Sequence, residues 1–139
     1  MSFMNGAYVL VLKLNSRKRI KIGSLNLVEF DKGIYCYVGS ALGSWSIEKR
    51  CERHLKRKKK SRWHIDYLRR KSDIVGIFAF PSKSKIECEI AKAILKSADN
   101  YIHKFGSSDC DCISHLFYFR NNESLSRISS IFSKGIRIY

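Results

Sequence analysis

The chain has 139 residues, 45% of them apolar, which suffices for one domain with its own core. It carries 27 Lys and Arg against 12 Asp and Glu, a formal net charge of +15 that attracts polyanions but says nothing about fold. No apolar run reaches the ~18 residues that span a membrane, no secretory signal opens the chain, and five cysteines, an odd number, point to reduced thiols in a cytoplasmic setting rather than to a disulfide scaffold.

In chain order, strands are expected at 7–14, 19–24 and 34–39, with a short one near 27–30. The first follows Gly6-Ala7-Tyr8 and is rich in β-branched and aliphatic residues. Turns fall at Asn15-Ser16 and Asp31-Lys32-Gly33. Alternation in the third strand puts Tyr35 and Tyr37 on one side and Ile34, Cys36 and Val38 on the other. Gly39 is expected to give that strand a sharp exit, and Ser44-Trp45-Ser46 to lengthen the turn that follows.

Ile47, Cys51 and Leu55 then recur every fourth residue, the buried stripe of a helix over 47–58. Arg50 and His54 are also four apart and share one helical face. A second helix is expected over 64–70. An apolar strand over 74–80 is ended by the single proline, Pro81. A helix over 85–98 has Ile86, Ile90, Ala93 and Ile94 inside. A polar loop at 105–114, a closing strand at 116–119 and a weak helix over 124–132 complete the chain. The whole reads as α+β, a small and mostly antiparallel sheet flanked by helices, without internal repeats.

Positive charge concentrates in one segment. Lys49, Arg50, Arg53, Lys56, Arg57, Lys58, Lys59, Lys60 and Arg62 are opposed only by Glu52, and Arg69, Arg70 and Lys71 follow. Such a run is most often a solvated face. Its density here favours a nucleic-acid surface, and six phosphate contacts would give a log–log salt slope of about −5. Beside it, the phenols of a strand end facing Arg50 and His54 form a set able to bind a phosphodiester and move a proton on it.

Gly6-Ala7-Tyr8 and Tyr37-Val38-Gly39, with Arg50 and His54 behind them, resemble the two signatures and the helix of the GIY-YIG nuclease superfamily. Further matches are Trp63-His64-Ile65-Asp66-Tyr67-Leu68, the pair Glu87-Cys88, and the tail Phe105-Gly106-Ser107-Ser108-Asp109-Cys110-Asp111-Cys112 before Ser114-His115-Leu116. Together they are most similar to the small, largely archaeal Uri-type stand-alone branch. The resemblance covers about 5–119 of a single 1–139 domain and leaves 120–139 as an extension. Ala7 stands where isoleucine is usual. A hairpin around Asp31-Lys32-Gly33 separates the signatures more widely than in typical members, and Gly33-Ile34-Tyr35 repeats the first signature by coincidence.

The resemblance implies a metal-dependent endonuclease acting on DNA, with branched or damaged duplex among its candidate substrates and RNA not excluded. A binding module of the same fold without cutting is the alternative. Carried over by motif, Tyr8 is the base, Tyr37 the second phenol and Arg50 the phosphate clamp. A free phenol titrates near ~10, so Tyr8 needs cations or metal beside it. His54 is a hydrogen-bond partner of the phosphate or a proton donor, or else a helix histidine packed on the sheet. The Mg²⁺ or Mn²⁺ ligand implied is Glu87, with Glu89 as the alternative; many members place it two turns later, where this chain has Ile94. The late asparagine of the family has no match.

Lys49, Arg53, Lys56, Arg57, Lys58, Lys59, Lys60, Arg62 and His64 form the expected nucleic-acid surface. His64 and Asp66 either position a phosphate or metal, or serve the start of a helix. Loop Phe105–Asp109 is a candidate phosphate cradle. Cys110, Cys112 and His115 are soft ligands that suit zinc, but they need a fourth, from Cys88, His54 or His64. Buried thiols are the commoner outcome.

Overall fold

The computed structural model describes residues 3–43, 45–108 and 110–139. Ser44 of the expected Ser44–Ser46 turn and Asp109 of the Phe105–Asp109 loop lie outside them. Strand β1 (Gly6–Leu14) is central, and every side chain but Lys13 is buried. Two short strands, β2 (Lys18–Lys21) and β3 (Leu27–Phe30), form a separate hairpin around a 3₁₀ turn, Gly23–Leu25. Strand β4 (Gly33–Ala41) then returns antiparallel to β1, pairing Tyr8 with Gly39.

Helices α1 (Ile47–Leu55) and α2 (His64–Arg69) precede strand β5 (Asp73–Pro81). Helix α3 (Glu87–Leu95), the two-residue strand β6 (Asn100–Tyr101) and strand β7 (Leu116–Phe119) follow. Short helices α4 (Asn122–Leu125) and α5 (Ser129–Phe132) lead to β8 (Ile136–Arg137). The main sheet runs β6-β7-β4-β1-β5-β8, with every pairing antiparallel. The fold is α+β. Among the described residues no helix is long and apolar enough to cross a membrane.

Alternation along β1 and β4 divides the core in two. Tyr8, Leu10, Leu12, Tyr35 and Tyr37 face α1, α2 and the β2–β3 hairpin, where Ile47, Cys51, Ile65, Leu68 and Phe30 meet them. Ala7, Val9, Val11, Ile34, Cys36 and Val38 face α3, through Ile90, Ala91 and Ile94. Fully burying one such aliphatic side chain contributes about 2 kcal/mol, so a slip of one residue in β1 would forfeit both layers at once.

Several expected boundaries shift for identifiable reasons. Helix α1 starts where Ser46 Oγ caps Lys49 N–H. It ends at Leu55, not 58, because the buried Arg69 side chain takes its last carbonyls. Arg69 Nε donates to His54 O at 2.8 Å and a terminal nitrogen donates to Leu55 O at 2.9 Å. Helix α3 occupies 87–95 rather than 85–98, and β2 stops at Lys21 as the chain enters the 3₁₀ turn. Strands β6 and β8 are additions to the expected elements, each too short to carry a periodic signal.

Gly39 does not end β4, which continues to Ala41. A Cβ at this position would collide with the Tyr8 ring, so the glycine is a seat for that ring rather than a turn.

Candidate active site

Where β1 begins and β4 ends, α1, the N-cap of α2, the start of α3 and the loop before β7 border an open cavity of about 310 Å³. Tyr8, Tyr37, Arg50, Trp63, Glu87 and His115 contribute to its lining. Tyr8 comes from β1 and Tyr37 from β4, two residues before Gly39, the partner of Tyr8, so both phenols share one face. Arg50 and His54 arrive one turn apart on α1. The structure therefore brings together the four residues singled out in the sequence. Tyr35, expected beside them, is not there. Its hydroxyl donates to Asp31 O at 2.8 Å, and its ring packs against Phe30 and Tyr118. Tyr8 supplies the phenol instead, because β1 lies beside β4.

Tyr8 Oη lies 2.7 Å from His54 Nε2. Burial pushes the Tyr8 phenol well above its ordinary range; Tyr37 and Cys51 add to this and Arg50 opposes it. Burial likewise raises Tyr37, with Asp66 adding. Burial lowers His54 to about 3, despite the attraction of Asp66. At neutral pH Tyr8 is therefore a phenol and His54 a neutral imidazole, so the Tyr8 O–H can donate to Nε2 when the ring proton sits on Nδ1. Nδ1 is buried and has no partner among the described residues.

Arg50 is aimed by stacking. Its guanidinium lies 5.2 Å from the Trp63 ring centroid, and Arg53 lies 4.5 Å from the same ring. Arg50 Nε is buried without a hydrogen-bond partner, and so is Oε2 of Glu87. Glu87 is 6% exposed, its nearest cation being Lys85 at 3.9 Å. Glu89, the alternative ligand, is exposed and lines a different cavity with Phe80 and Ile90. Ile94 is buried under the sheet.

The basic segment divides by role. Arg53 grips Asp66 through two bonds of 2.9 and 3.0 Å and also donates to Lys60 O. Asp66 is completely buried and accepts from Arg62 N–H and Trp63 N–H as well. These bonds hold its carboxyl below its ordinary value against the opposing effect of burial. Asp66 thus anchors the start of α2 rather than a ligand. Arg57 is held by Asp73 and by Arg70 O and Ser72 O. Lys59 donates to Lys56 O, and burial lowers its pKa to about 8. His64 Nδ1 accepts from Gly106 N–H at 3.0 Å. Lys49, Lys56, Lys58, Lys60 and Arg62 are exposed, as Arg57 is, but make no ion pair among the described residues.

The loop after β6 closes the opposite wall. Gly106, at φ +68 and packed on the Tyr37 ring, turns it toward the pocket. Its amide is already committed to His64, which removes one donor from the phosphate cradle expected at 105–109. Ser107 Oγ is buried without a partner. The loop then brings Cys110, Cys112 and His115 to Cys88 on the first turn of α3. Their four ligand atoms lie within 4.8 Å of one another, a group that could hold a metal ion. Cys88 alone of the three candidates is the fourth member. Nothing in the local spacing singles it out, because only α3 packing on the sheet brings it there.

A family model described as a domain of unknown function, DUF123, matches residues 7–137. No curated protein and no solved structure matches the chain.

Proposed function

The chain belongs to the DUF123 family, whose description assigns no activity, and from the motif resemblance together with the pocket we propose a GIY-YIG-type endonuclease that hydrolyses phosphodiester bonds in DNA. The observation that carries this reading is the convergence of Tyr8, Tyr37, Arg50 and Glu87 on one basic-rimmed cavity, with Arg50 Nε and Glu87 Oε2 buried and unpartnered. Buried polar atoms are normally paired, and an unpaired cation and carboxylate oxygen in one cavity suit a phosphate and a divalent metal.

Arg50 forks two phosphate oxygens. Tyr8 takes the proton of the attacking water as its own passes to His54, 2.7 Å away. Burial opposes this transfer in the free protein. His54 lies behind Tyr8 and outside the cavity lining, so the negative charge of a phosphodiester seated against Tyr8 favours the imidazolium from one side chain away. Tyr37, which burial keeps protonated, is the donor to the leaving oxygen in this reading. Glu87 fits a Mg²⁺ or Mn²⁺ ion, since such ions take one or two carboxylates and complete their shell with water and substrate oxygens. When bound, the ion stabilises charge on the phosphoryl oxygens.

A second reading, nucleic-acid binding without cutting, is favoured by the burial of Tyr8 and by the provision of a single carboxylate. Incubating the protein with labelled duplex, flapped and single-stranded DNA and RNA, in Mg²⁺, Mn²⁺ or EDTA, separates the two. Metal-dependent cleavage that drops by about 10³-fold in both Tyr8→Phe and Arg50→Ala supports the nuclease. Salt-sensitive binding without cleavage, weakened by Arg50→Ala alone, supports the binding module.

A further inference from the structure

We propose that Cys88, Cys110, Cys112 and His115 bind one structural Zn²⁺ that clamps the loop between β6 and β7 onto the start of α3. This stands whether or not the pocket cuts nucleic acid, and it is separate from the ion assigned to Glu87.

The geometry is that of a coordination shell. A tetrahedral zinc with Zn–S near ~2.3 Å and Zn–N near ~2.05 Å sets its ligand atoms roughly 3.6 Å (S to N) and 3.8 Å (S to S) apart. His115 Nε2 lies 3.4 Å from Cys110 Sγ and 3.9 Å from Cys88 Sγ. All four atoms fall within 4.8 Å of each other. None of the cysteines is disulfide-bonded, and Cys36 and Cys51 lie elsewhere in the two core layers. Three sulfurs and one imidazole suit a soft or borderline cation, not Mg²⁺ or Ca²⁺, which take oxygen. Four protein ligands fill the tetrahedron, and a closed shell is the mark of a structural rather than a catalytic zinc.

The surrounding fold also calls for a clamp. Residues 102–115 contain no helix or strand among the described residues, and so long an irregular connection inside a compact domain is uncommon. Three of the four ligands sit on it, and the fourth is on α3, whose inner face shares one core layer with Cys110 and Cys112. His115 is fixed from behind, since its N–H donates to Phe105 O at 2.8 Å and its carbonyl accepts from Val38 N–H at 2.9 Å. A zinc here ties α3, the loop and β4 at one point, directly beside Glu87 and Tyr37.

The test is metal analysis of the untagged full chain after dialysis, together with replacement of the bound metal by Co²⁺. One zinc per chain is expected, and the cobalt form should show thiolate-to-metal charge transfer and the intense visible bands of a tetrahedral site. Cys112→Ser should weaken zinc by at least about a hundredfold, the upper end of what removing a mere supporting partner costs. Cys36→Ala, a buried thiol outside the cluster, should keep the full complement. If the serine variant fails to fold, the cobalt spectrum of the unaltered chain still decides. A chain that takes up no zinc when zinc is supplied, zinc retained at full affinity in Cys112→Ser, or a cobalt spectrum without thiolate bands would each overturn the assignment.

Discussion

The two walls of the pocket are held by different means. The α1–α2 wall is fastened by charged hydrogen bonds within the chain: Arg53 to Asp66, Asp66 to the amides that begin α2, and Arg69 to the carbonyls that end α1. The facing wall, formed by the 102–115 loop and the start of α3, has three thiols and an imidazole at the equivalent place. The contrast shows how a basic protein can fix a site without diverting the cations that face its substrate. On one side arginines are turned inward to buried acceptors. On the other the task falls to groups that suit a metal.

The largest effect that would break this contrast comes from Asp66. Its carboxylate is completely buried, and removing it leaves Arg53, only 15% exposed at the side chain, without its partner. Asp66→Ala should cost about 3 kcal/mol in chemical denaturation. Hydrogen exchange should quicken over α1 and α2 while the amides of Cys110 and His115, bonded to Ser107 O and Phe105 O, keep their protection. A loss below about 1 kcal/mol, or equal loosening of both walls, would show that they are not separately fastened.

His54 provides the second test, read over a narrow pH window. Burial lowers its folded pKa to about 3, below an unfolded value near ~6.5. The unfolded chain therefore binds the extra proton first as pH falls. The stability that comes from keeping His54 neutral is complete above about pH 6.5 and is lost progressively down to about pH 3, by up to about 1.4 kcal/mol per pH unit. Asp66, whose folded pKa is also depressed, adds its own loss only as pH falls below about 4. His54→Gln should flatten the slope between about pH 6 and about pH 4.5 in denaturation curves and leave the carboxylate limb. An unchanged slope there would place the acid sensitivity elsewhere.

What the sequence discloses follows the reach of its signals. Period-two alternation finds β1 and β4 and assigns their faces, because a buried sheet leaves that pattern in neighbouring residues. The four-residue spacing of Ile47 and Cys51 sets the inner face of α1, and with it the common direction of Arg50 and His54. Motif resemblance, not periodicity, joins Tyr8 to Tyr37 across the hairpin. The misses all depend on distant partners. Gly39 looks like a turn because its real constraint is the Tyr8 ring on another strand. The end of α1 is expected too late because Arg69 caps it from α2. Tyr35 is expected in the site because alternation gives the face of a side chain but not its height along the sheet. Arg53 and Arg57 look identical to their lysine neighbours, since only the fold brings Asp66 and Asp73 to them.

That last distinction yields the smallest predicted effect and the finest test of the division between paired and unpaired cations. Lys56, Lys58 and Lys60 are exposed, and their ammonium groups make no ion pair among the described residues. Arg57 is paired with Asp73 and bonded to two carbonyls. If the lysines meet phosphates, changing all three to Gln should make the log–log salt slope of duplex binding less negative by roughly 2.7, at about 0.9 for each phosphate no longer neutralised. Folding stability should stay within about 0.5 kcal/mol, as is usual for surface changes. Arg57→Gln should do the reverse, costing about 1 kcal/mol of stability through its missing hydrogen bonds while shifting the slope little. Titrations of a labelled duplex at several salt concentrations, run beside denaturation curves, measure both quantities. A slope that moves as much for Arg57 as for a lysine would mean that the arginine leaves Asp73 to meet the phosphate, and that the paired set is a reserve of phosphate-binding groups rather than a fixed frame.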